Sequence, residues 1–235
     1  SSGSASWNGR IVGSDNGDAD KYATQATASN QPVSDGYKVT FADNTDHLDI
    51  PSATQAGWQI VGTSLGTFAY RVNANAVTEL NLLGNLGHHV FRKVGDLYGI
   101  ILLPETATGK QIESARQVLI NRGAADGATS SSLYTYWDSR YDIVEFKHVN
   151  TSSVTNMNFA WSSCTALTSF PFIDTSSGTN FGYAWYLNSS LTSFPALDMS
   201  SGTAFTSTWQ SCTALTSFPS GAKLGTAASN VNFTS

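Results

Sequence analysis

Charge is scarce in this chain and almost absent from its second half. Charged residues make up 12% of the sequence, about half of the share that is usual in globular proteins. Residues 1–150 hold 11 of the 12 Lys and Arg and 15 of the 17 Asp and Glu, which leaves Asp174, Asp198 and Lys223 for the rest. Because phosphate binding needs clustered cations, this composition argues against a nucleic-acid partner. It also argues against attraction to an anionic membrane surface.

Long apolar runs are lacking as well. No stretch approaches the roughly 18–20 apolar residues that span a bilayer, so we predict no membrane insertion. The start of the chain, Ser1 to Ser6, has neither the basic nor the apolar part of a secretion signal, and methionine does not open it. We therefore expect a trimmed form or a segment of a longer protein.

What the second half contains instead is a short repeated unit. Trp137, Trp161, Trp185 and Trp209 fall 24 residues apart, and Phe233 takes the next place. The same register holds at other columns: Arg140, Cys164, Asn188, Cys212; Ile143, Leu167, Leu191, Leu215; Phe146, Phe170, Phe194, Phe218. A fixed period of this length predicts a solenoid whose core is a stack of Trp, Leu and Phe.

Within each unit the apolar spacing changes, from a helical spacing at Phe181, Trp185 and Asn188 to every third residue elsewhere. This predicts a short helix or 3₁₀ turn that carries Phe and Trp inward, then a short strand at Leu-Thr-Ser-Phe that proline ends. Gly178 and Gly202 share one column, where backbone freedom would serve a corner.

The chain has only two cysteines, Cys164 and Cys212, in one column two units apart. Units that stack like strands lie about 4.8 Å apart, so the cysteines would be nearly 10 Å apart, beyond the ~7 Å Cα limit for a disulfide. We predict free thiols and an inward Asn188 between them.

The first 127 residues predict a mostly antiparallel β structure. Extended segments are expected at 37–41, 47–50 and 77–83, and Trp58–Val61 with Thr67–Val72 should form a hairpin. The nearly continuous apolar run Leu97–Leu103 should be a central strand covered on both faces. One surface helix is signalled by a capping box at Thr108 to Gln111, by a stripe of Ile112, Ala115, Val118 and Leu119, and by Gly123 at its end.

Two resemblances sharpen this division. The segments 15–18, 23–32 and 39–50, with 98–127, resemble the start and end of concanavalin-like (laminin-G-like) jelly-roll domains of phage structural and tail proteins, although the chain is short for a full domain of that type. The runs Asn150–Met157, Cys164–Phe170 and Asp174–Ser177 resemble BspA-like leucine-rich repeats of bacterial surface proteins and phage fibres. The expected fold is therefore mainly β: a jelly-roll-like sandwich with one surface helix over residues 1–127, then a leucine-rich-repeat solenoid of 24-residue coils over 128–235.

No group of residues predicts catalysis. Gly62-Thr63-Ser64-Leu65-Gly66 matches the sequence motif of a nucleophile elbow, in which a helix follows the serine. Here a strand should follow Ser64, which favours a hairpin turn. Glu105 and Glu113 lie near or within an exposed helix and suggest no acid–base pair. We expect no catalytic residue and no cofactor.

Metal binding is also not predicted. The run Asp15 to Asp20 concentrates oxygen ligands as calcium loops do, but it lacks the distal Glu of an EF-hand, so a solvated turn is the preferred interpretation. The same holds for Asp43, Asp46 and Asp49. The pair His88-His89 has no third ligand at a recognisable spacing.

The repeat surface is the remaining candidate. Glycosylation sequons begin at Asn150, Asn188 and Asn232, but a sugar on an inward Asn188 would be incompatible with the fold. Two exposed columns, the Thr-Ser pair between Leu and Phe and the Thr-Ser-Ser run before the glycine, predict ladders of hydroxyl groups on a flat neutral face. The ladders either serve solubility alone or contact a glycan or a partner protein, with Tyr183 and Tyr186 as aromatic contacts.

The resemblances imply a non-enzymatic virion protein, a tail-fibre or decoration subunit that contacts other virion proteins, copies of itself and a glycan or protein of the host surface. The alternative is a fragment of a bacterial cell-surface adhesin that binds host or matrix protein. A polysaccharide-active enzyme is a third possibility without a carboxylate pair to support it. The repeat ends after Phe233 without a charged cap, so we expect further repeats or another chain beside it.

Overall fold

The computed structural model describes residues 9–10, 22–23, 33–34, 39–41, 56–73, 95–127, 129–134 and 136–225. Within them the protein is mainly β with one α-helix. The predicted segments 47–50 and 77–83 lie outside the described residues, as do Asp15–Asp20, Asp43, Asp46, Asp49, His88-His89, Asn232 and Phe233.

The main element is an antiparallel sheet of six strands in the order β3-β4-β7-β5-β6-β8. Its strands are β3 (Val33–Ser34), β4 (Val39–Phe41), β5 (Gly57–Thr63), β6 (Gly66–Val72), β7 (Gly95–Pro104) and β8 (Ile143–His148). A separate antiparallel pair joins β1 (Gly9–Arg10) to β2 (Tyr22–Ala23). A short parallel pair joins β9 (Asp198–Met199) to β10 (Lys223–Leu224).

The predicted hairpin and the predicted central strand are both confirmed. Strands β5 and β6 pair from Gly57 with Val72 to Thr63 with Gly66. Strand β7 lies between β4 and β5, inside the sheet. Its apolar side chains join two clusters, with Leu97 and Ile100 in one and Ile101 in the other, so the strand is covered on both faces.

One face of the sheet is covered by the helix α1 (Gly109–Asn121). The capping box is formed: Thr108 Oγ1 accepts a hydrogen bond from Gln111 N, and Gln111 Oε1 accepts one from Thr108 N. Leu119 packs with Trp58 and Ile60 in the cluster on this face. The position of the helix outside the sheet agrees with the prediction.

One residue of the predicted helix stripe is placed wrongly. Val118 is 50% exposed, whereas Ile112, Ala115, Arg116 and Leu119 are buried. At about 100° per residue, Val118 lies about 120° around the helix from Ile112, outside the arc of about 100° that the four buried residues share. The buried stripe therefore includes an arginine and excludes a valine.

The other face of the sheet is covered by the beginning of the repeats. The ring of Phe68 in β6 meets the rings of Tyr136 and Trp137, with 5.2 Å between centroids in both cases. One cluster of buried residues continues from Val61 through Trp137 to Trp209. The sheet and the repeats thus share a hydrophobic core across the proposed boundary at residues 127 and 128.

Strand β8 belongs to both parts of the protein. It pairs antiparallel with β6, from Ala69 with His148 to Val72 with Ile143. Its Val144 O also accepts a hydrogen bond from Thr168 N of the following unit, at 3.2 Å. The first repeat strand is therefore an edge strand of the sheet and the first layer of the repeats.

Successive 24-residue units lie one upon another, beginning in the segment that precedes β8. We number them one to four by their tryptophans, Trp137, Trp161, Trp185 and Trp209. Parallel bridges join Ser132 to Asn156 and Asn180 to Ala204. Indole centroids in neighbouring units are 5.2–5.6 Å apart, with ring planes within 10° of parallel. The rise of one unit is thus close to the spacing of strands in a sheet.

The helix or 3₁₀ turn expected in each unit is not formed, because a succession of turns occupies that place. In the second to fourth units two residues of each turn segment have a left-handed backbone, namely Phe159 and Ser163, Tyr183 and Leu187, and Ser207 and Ser211; in the first unit Ser139 has one. A left-handed residue ends a right-handed helix, and it turns the N–H group along the stack. Tyr183 N, for example, donates to Thr206 O of the next unit, at 2.8 Å.

Glycine occupies positions 178 and 202 for a reason other than the predicted one. Neither Gly178 nor Gly202 has a positive φ. A Cβ atom at Gly178 would overlap Cζ of Phe181, and one at Gly202 would overlap Cζ of Phe205. The two glycines are therefore required by the close approach of an inward phenylalanine ring rather than by backbone freedom.

Candidate functional site

Ser64 lies in the tight turn between β5 and β6, as the hairpin interpretation predicted. Its Oγ accepts a hydrogen bond from Asp96 N at 3.0 Å, and its carbonyl oxygen accepts one from Thr129 Oγ1. The element that follows is the strand β6, so the strand-to-helix context of a nucleophile elbow is absent. These contacts give Ser64 a structural role in the turn.

The two glutamates near the helix serve in ion pairs. Glu105 Oε1 lies 3.3 Å from Arg71 Nη1, and Glu113 Oε2 lies 2.6 Å from Arg116 Nη1. The hydrogen bond from Gln117, with a further contribution from Arg116, lowers the pKa of Glu113. A carboxyl group with a lowered pKa is a poor general acid near neutral pH. Among the described residues no three His, Cys, Asp or Glu side chains are grouped as metal ligands would be.

The predicted repeat-core residues line the interior of the stack. Trp137, Trp161, Trp185, Trp209, Leu167, Leu191, Phe170, Phe194, Cys164, Asn188 and Cys212 are buried, while Leu215 and Phe218 in the last unit are partly buried. The cysteines are free thiols. Cys164 Sγ donates to Trp137 O at 3.2 Å, and Cys212 Sγ donates to Trp185 O at 3.0 Å. The buried ones among these side chains hold the units together and are not available to a ligand.

The first unit carries a buried ion pair in this inward column. Arg140 occupies the place of the cysteines, and its Nε and Nη2 donate to Asp142 Oδ1 and Oδ2, both at 2.7 Å. The guanidinium group also lies 5.3 Å from the ring centroid of Tyr70 in β6. Although burial opposes it, the carboxylate of Asp142 raises the pKa of Arg140. The pair joins the first unit to the sheet.

Two ladders of hydroxyl groups run along the stack, one in the predicted column between Leu and Phe and one in a column that was not predicted. Thr179 Oγ1 donates to Thr155 O at 3.1 Å, Thr203 Oγ1 donates to Thr179 O at 3.2 Å, and Thr192 Oγ1 donates to Thr168 O at 3.0 Å. All five of these threonines are exposed. Because each hydroxyl donates to the neighbouring unit, the ladder satisfies backbone carbonyl groups without any charge.

Part of the predicted hydroxyl surface is wrong. In the Thr-Ser-Ser run that precedes Gly178, Thr175 is buried, and so is Thr151 of the same column in the preceding unit. Thr175 Oγ1 donates to Asp198 O at 2.7 Å. Only the serines of these runs remain at the surface. A polar residue precedes each run. Two of these residues, Asp174 and Asp198, accept hydrogen bonds from the hydroxyl groups of Ser176 and Ser200.

A different surface of the units carries large apolar side chains. We define the aromatic strip as Tyr134, Phe159, Tyr183, Tyr186 and Leu187. Tyr134 is 46% exposed and Leu187 is 37% exposed, and the other three side chains are half-buried. The ring centroids of Phe159 and Tyr183 are 4.6 Å apart and their planes are 3° from parallel. The strip therefore runs along the stack over three successive units.

The sequence interpretation named only Tyr183 and Tyr186 in this surface. Phe159 could have been found, because it precedes Tyr183 by one repeat and therefore shares its column. Tyr134 could not, because it stands in the column of Asn158 and Gly182, which has no aromatic pattern. Nothing in the repeat register indicated the left-handed backbone at Phe159, Tyr183 and Leu187.

Comparison of the chain with protein-family models, with curated proteins and with solved structures found no match. Within the described residues, no helix is long and apolar enough to cross a membrane.

Proposed function

We propose that the protein is a non-enzymatic virion structural and adhesion protein, a fibre or decoration subunit of a tailed phage. In this proposal residues 1–127 form the jelly-roll-like part that mounts on the particle, and residues 128–235 form a leucine-rich-repeat solenoid that projects toward the host. Its partners are other virion proteins, copies of itself and a glycan or protein of the host surface.

The observation that carries this proposal is the aromatic strip on a stack of nearly uncharged units. A surface that combines half-exposed aromatic rings with hydroxyl and amide groups is suited to binding. The shared core between the sheet and the first unit favours a rigid mount, because Phe68, Trp137 and the Arg140–Asp142 pair fix one part against the other. Many copies on one particle would then add weak contacts into a strong attachment.

Electron microscopy tests this proposal. Gold-labelled antibodies against the purified chain should mark phage particles from the organism that encodes it, at positions related by the symmetry of the capsid or tail. Label on the cell surface alone would replace the proposal with the alternative of a bacterial adhesin. An assay for reducing ends released from host envelope polysaccharides should show no turnover, and measurable turnover would establish an enzyme.

A further inference from the structure

Three side chains of the aromatic strip are not required by the backbone that carries them. Phe159, Tyr183 and Leu187 have φ values of 56°, 55° and 60°, a left-handed conformation that bulky residues rarely adopt. The same two columns hold serine in other units, namely Ser207 in the fourth unit and Ser163 in the second. The units accept a small side chain at these places, so the turn itself does not require a large apolar one.

The rings of the strip turn their faces in two directions. Phe159 and Tyr183 stack upon each other along the axis of the repeats, so their facing surfaces are occupied. The ring of Tyr134 is at 90° to that of Phe159, and the ring of Tyr186 is at 83° to that of Tyr183. Tyr134 and Tyr186 therefore turn their ring faces sideways, at two places along the strip.

The rings of Tyr134 and Tyr186 are two units apart. With about 4.8 Å per unit, the separation along the stack is about 10 Å, a span comparable to a disaccharide. The stacked pair Phe159 and Tyr183 fills the space between them and presents ring edges. Such spacing suits a ligand that is itself a repeating chain and lies along the stack.

Apart from Asp138, the polar groups that we identify beside the strip are neutral. Asn156 and Asn158 precede Phe159, Asn180 precedes Tyr183, and Gln210 lies one unit beyond Tyr186 in the same column. Asn158 Nδ2 also donates to Gly182 O, and Asn180 Oδ1 accepts from Gly182 N. Within the described units, Asp138 is the one charged side chain that shares a column with the strip, and it lies at the end near Tyr134. Aromatic faces stack on the C–H faces of sugar rings, and amide groups pair with sugar hydroxyl groups. An anionic chain would instead need cations that this surface lacks.

We propose that the aromatic strip binds a neutral polysaccharide that lies along the stack, with one sugar ring against Tyr134 and another against Tyr186. This inference rests on the proposed function and names the class of ligand. The ligand carries neither phosphate, sulfate nor carboxylate groups.

Affinity gel electrophoresis of the whole chain tests the inference. The probes are soluble dextran, mannan, galactomannan and hydroxyethyl cellulose, with alginate and heparin as anionic probes. We expect at least one neutral probe to retard the protein, and Tyr186→Ala and Tyr134→Ala to weaken that binding by about tenfold or more. Tyr183→Ser, which copies Ser207 of the fourth unit, should weaken it as well.

Two variants provide matched controls. Tyr141→Ala and Phe172→Ala each remove an aromatic side chain that is more than half exposed, at 54% and 75%, and that lies outside the strip. They should change the affinity by less than about twofold. Melting curves of all variants verify that each is folded. The inference is overturned if no neutral probe retards the protein, if only the anionic probes do, or if the control variants weaken binding as much as Tyr186→Ala does.

Binding to whole host cells separates this inference from the proposed function. Loss of binding after periodate oxidation of the cell-surface sugars, but not after protease treatment, is the expected result. Binding that protease removes and that Tyr186→Ala leaves unchanged would refute the glycan ligand and keep the adhesion proposal. Absence of the chain from phage particles would refute the proposed virion function even if a neutral polysaccharide bound the strip.

Discussion

Replacing Asn188 by cysteine should stabilise the protein. The inward column alternates Cys164, Asn188 and Cys212, and each cysteine thiol donates a hydrogen bond to a tryptophan carbonyl oxygen 27 residues earlier. Asn188 is 0% exposed, and neither its Nδ2 nor its Oδ1 has a hydrogen-bond partner among the described residues. The column therefore contains one polar side chain whose hydrogen-bonding groups were removed from water without replacement.

The size of the effect follows from this environment. A buried polar group without a partner costs about 1–3 kcal/mol. A thiol at position 188 would face the carbonyl oxygen of Trp161, the residue that corresponds to Trp137 and Trp185 in the other units. We therefore expect the free energy of unfolding of Asn188→Cys to rise by about 1–3 kcal/mol. With a urea slope of about 3 kcal/mol per M, the midpoint should rise by roughly 0.3–1 M.

Equilibrium unfolding in urea, followed by tryptophan fluorescence, measures this change. A phosphine reductant is needed, because a third thiol would lie about 4.8 Å along the stack from Cys164 and Cys212, within the range for a disulfide. Cys164→Asn is the converse control and should lower the midpoint by a similar amount. If Asn188→Cys lowers the midpoint, or if Cys164→Asn leaves it unchanged, the carboxamide is satisfied in the folded protein and the reasoning is wrong.

Three further predictions concern the ion pair, the backbone and pH. Arg140→Leu and Asp142→Leu should each destabilise the protein by about 3–5 kcal/mol, because each leaves a buried charge unpaired. The double variant should lose less stability than the sum of the two losses. Additive losses in a double-mutant cycle, measured by unfolding in urea, would contradict the pairing. Leu187→Asn should raise the free energy of unfolding by about 0.5–1 kcal/mol, since asparagine tolerates the left-handed backbone better than leucine does; a lower urea midpoint would show that the leucine contributes more by packing. Burial raises the pKa of the Cys164 thiol, and it raises the pKa of Cys212 to about 11, from an ordinary value of 9.0. Their stabilising contribution is complete below pH 9 and is lost as the pH rises toward the folded pKa values, so the melting temperature should fall less between pH 8 and pH 10 in Cys164→Ala/Cys212→Ala than in the unmodified protein.

The features that the sequence predicted well are those with local causes. The capping box of α1 and the hairpin of β5 and β6 involve residues close together in the chain. The repeat core follows from a period of 24 residues, because identical units must bury identical columns. Hence Trp161, Leu167 and Asn188 were placed inside without knowledge of any contact between distant segments.

The turns within the units could not be predicted in the same way. Left-handed residues are usually signalled by glycine or asparagine, whereas Ser, Phe, Tyr and Leu occupy these positions here. Hydrogen bonds to the next unit, such as Leu187 N to Gln210 O at 2.9 Å, hold the backbone in this conformation. Tertiary contacts thus override the local preference that suggested a helix.

The junction between the sheet and the repeats also has no local signal. The pairing of β6 with β8 joins Tyr70 to Phe146, residues far apart in the chain. Arg140 departs from the Cys and Asn of its column, which marks the first unit as different, but the sequence does not say that Tyr70 would lie beneath it. The candidate site was found only in part: Tyr183 and Tyr186 were named, whereas Phe159, one repeat before Tyr183, was overlooked, and Tyr134 stands in a column without an aromatic pattern.

The constant offset between bonded units makes the length of the stack adjustable. Most hydrogen bonds between units join residues 23–25 positions apart, for example Thr179 to Thr155 and Ser177 to Ser152. Removing residues 156–179 would connect Thr155 directly to Asn180. Because the removed segment is one whole repeat, every residue after it would keep its column. A gene that gained or lost whole units would therefore encode a longer or shorter projection with the same first layer on β6, and its reach would change in steps of about 5 Å.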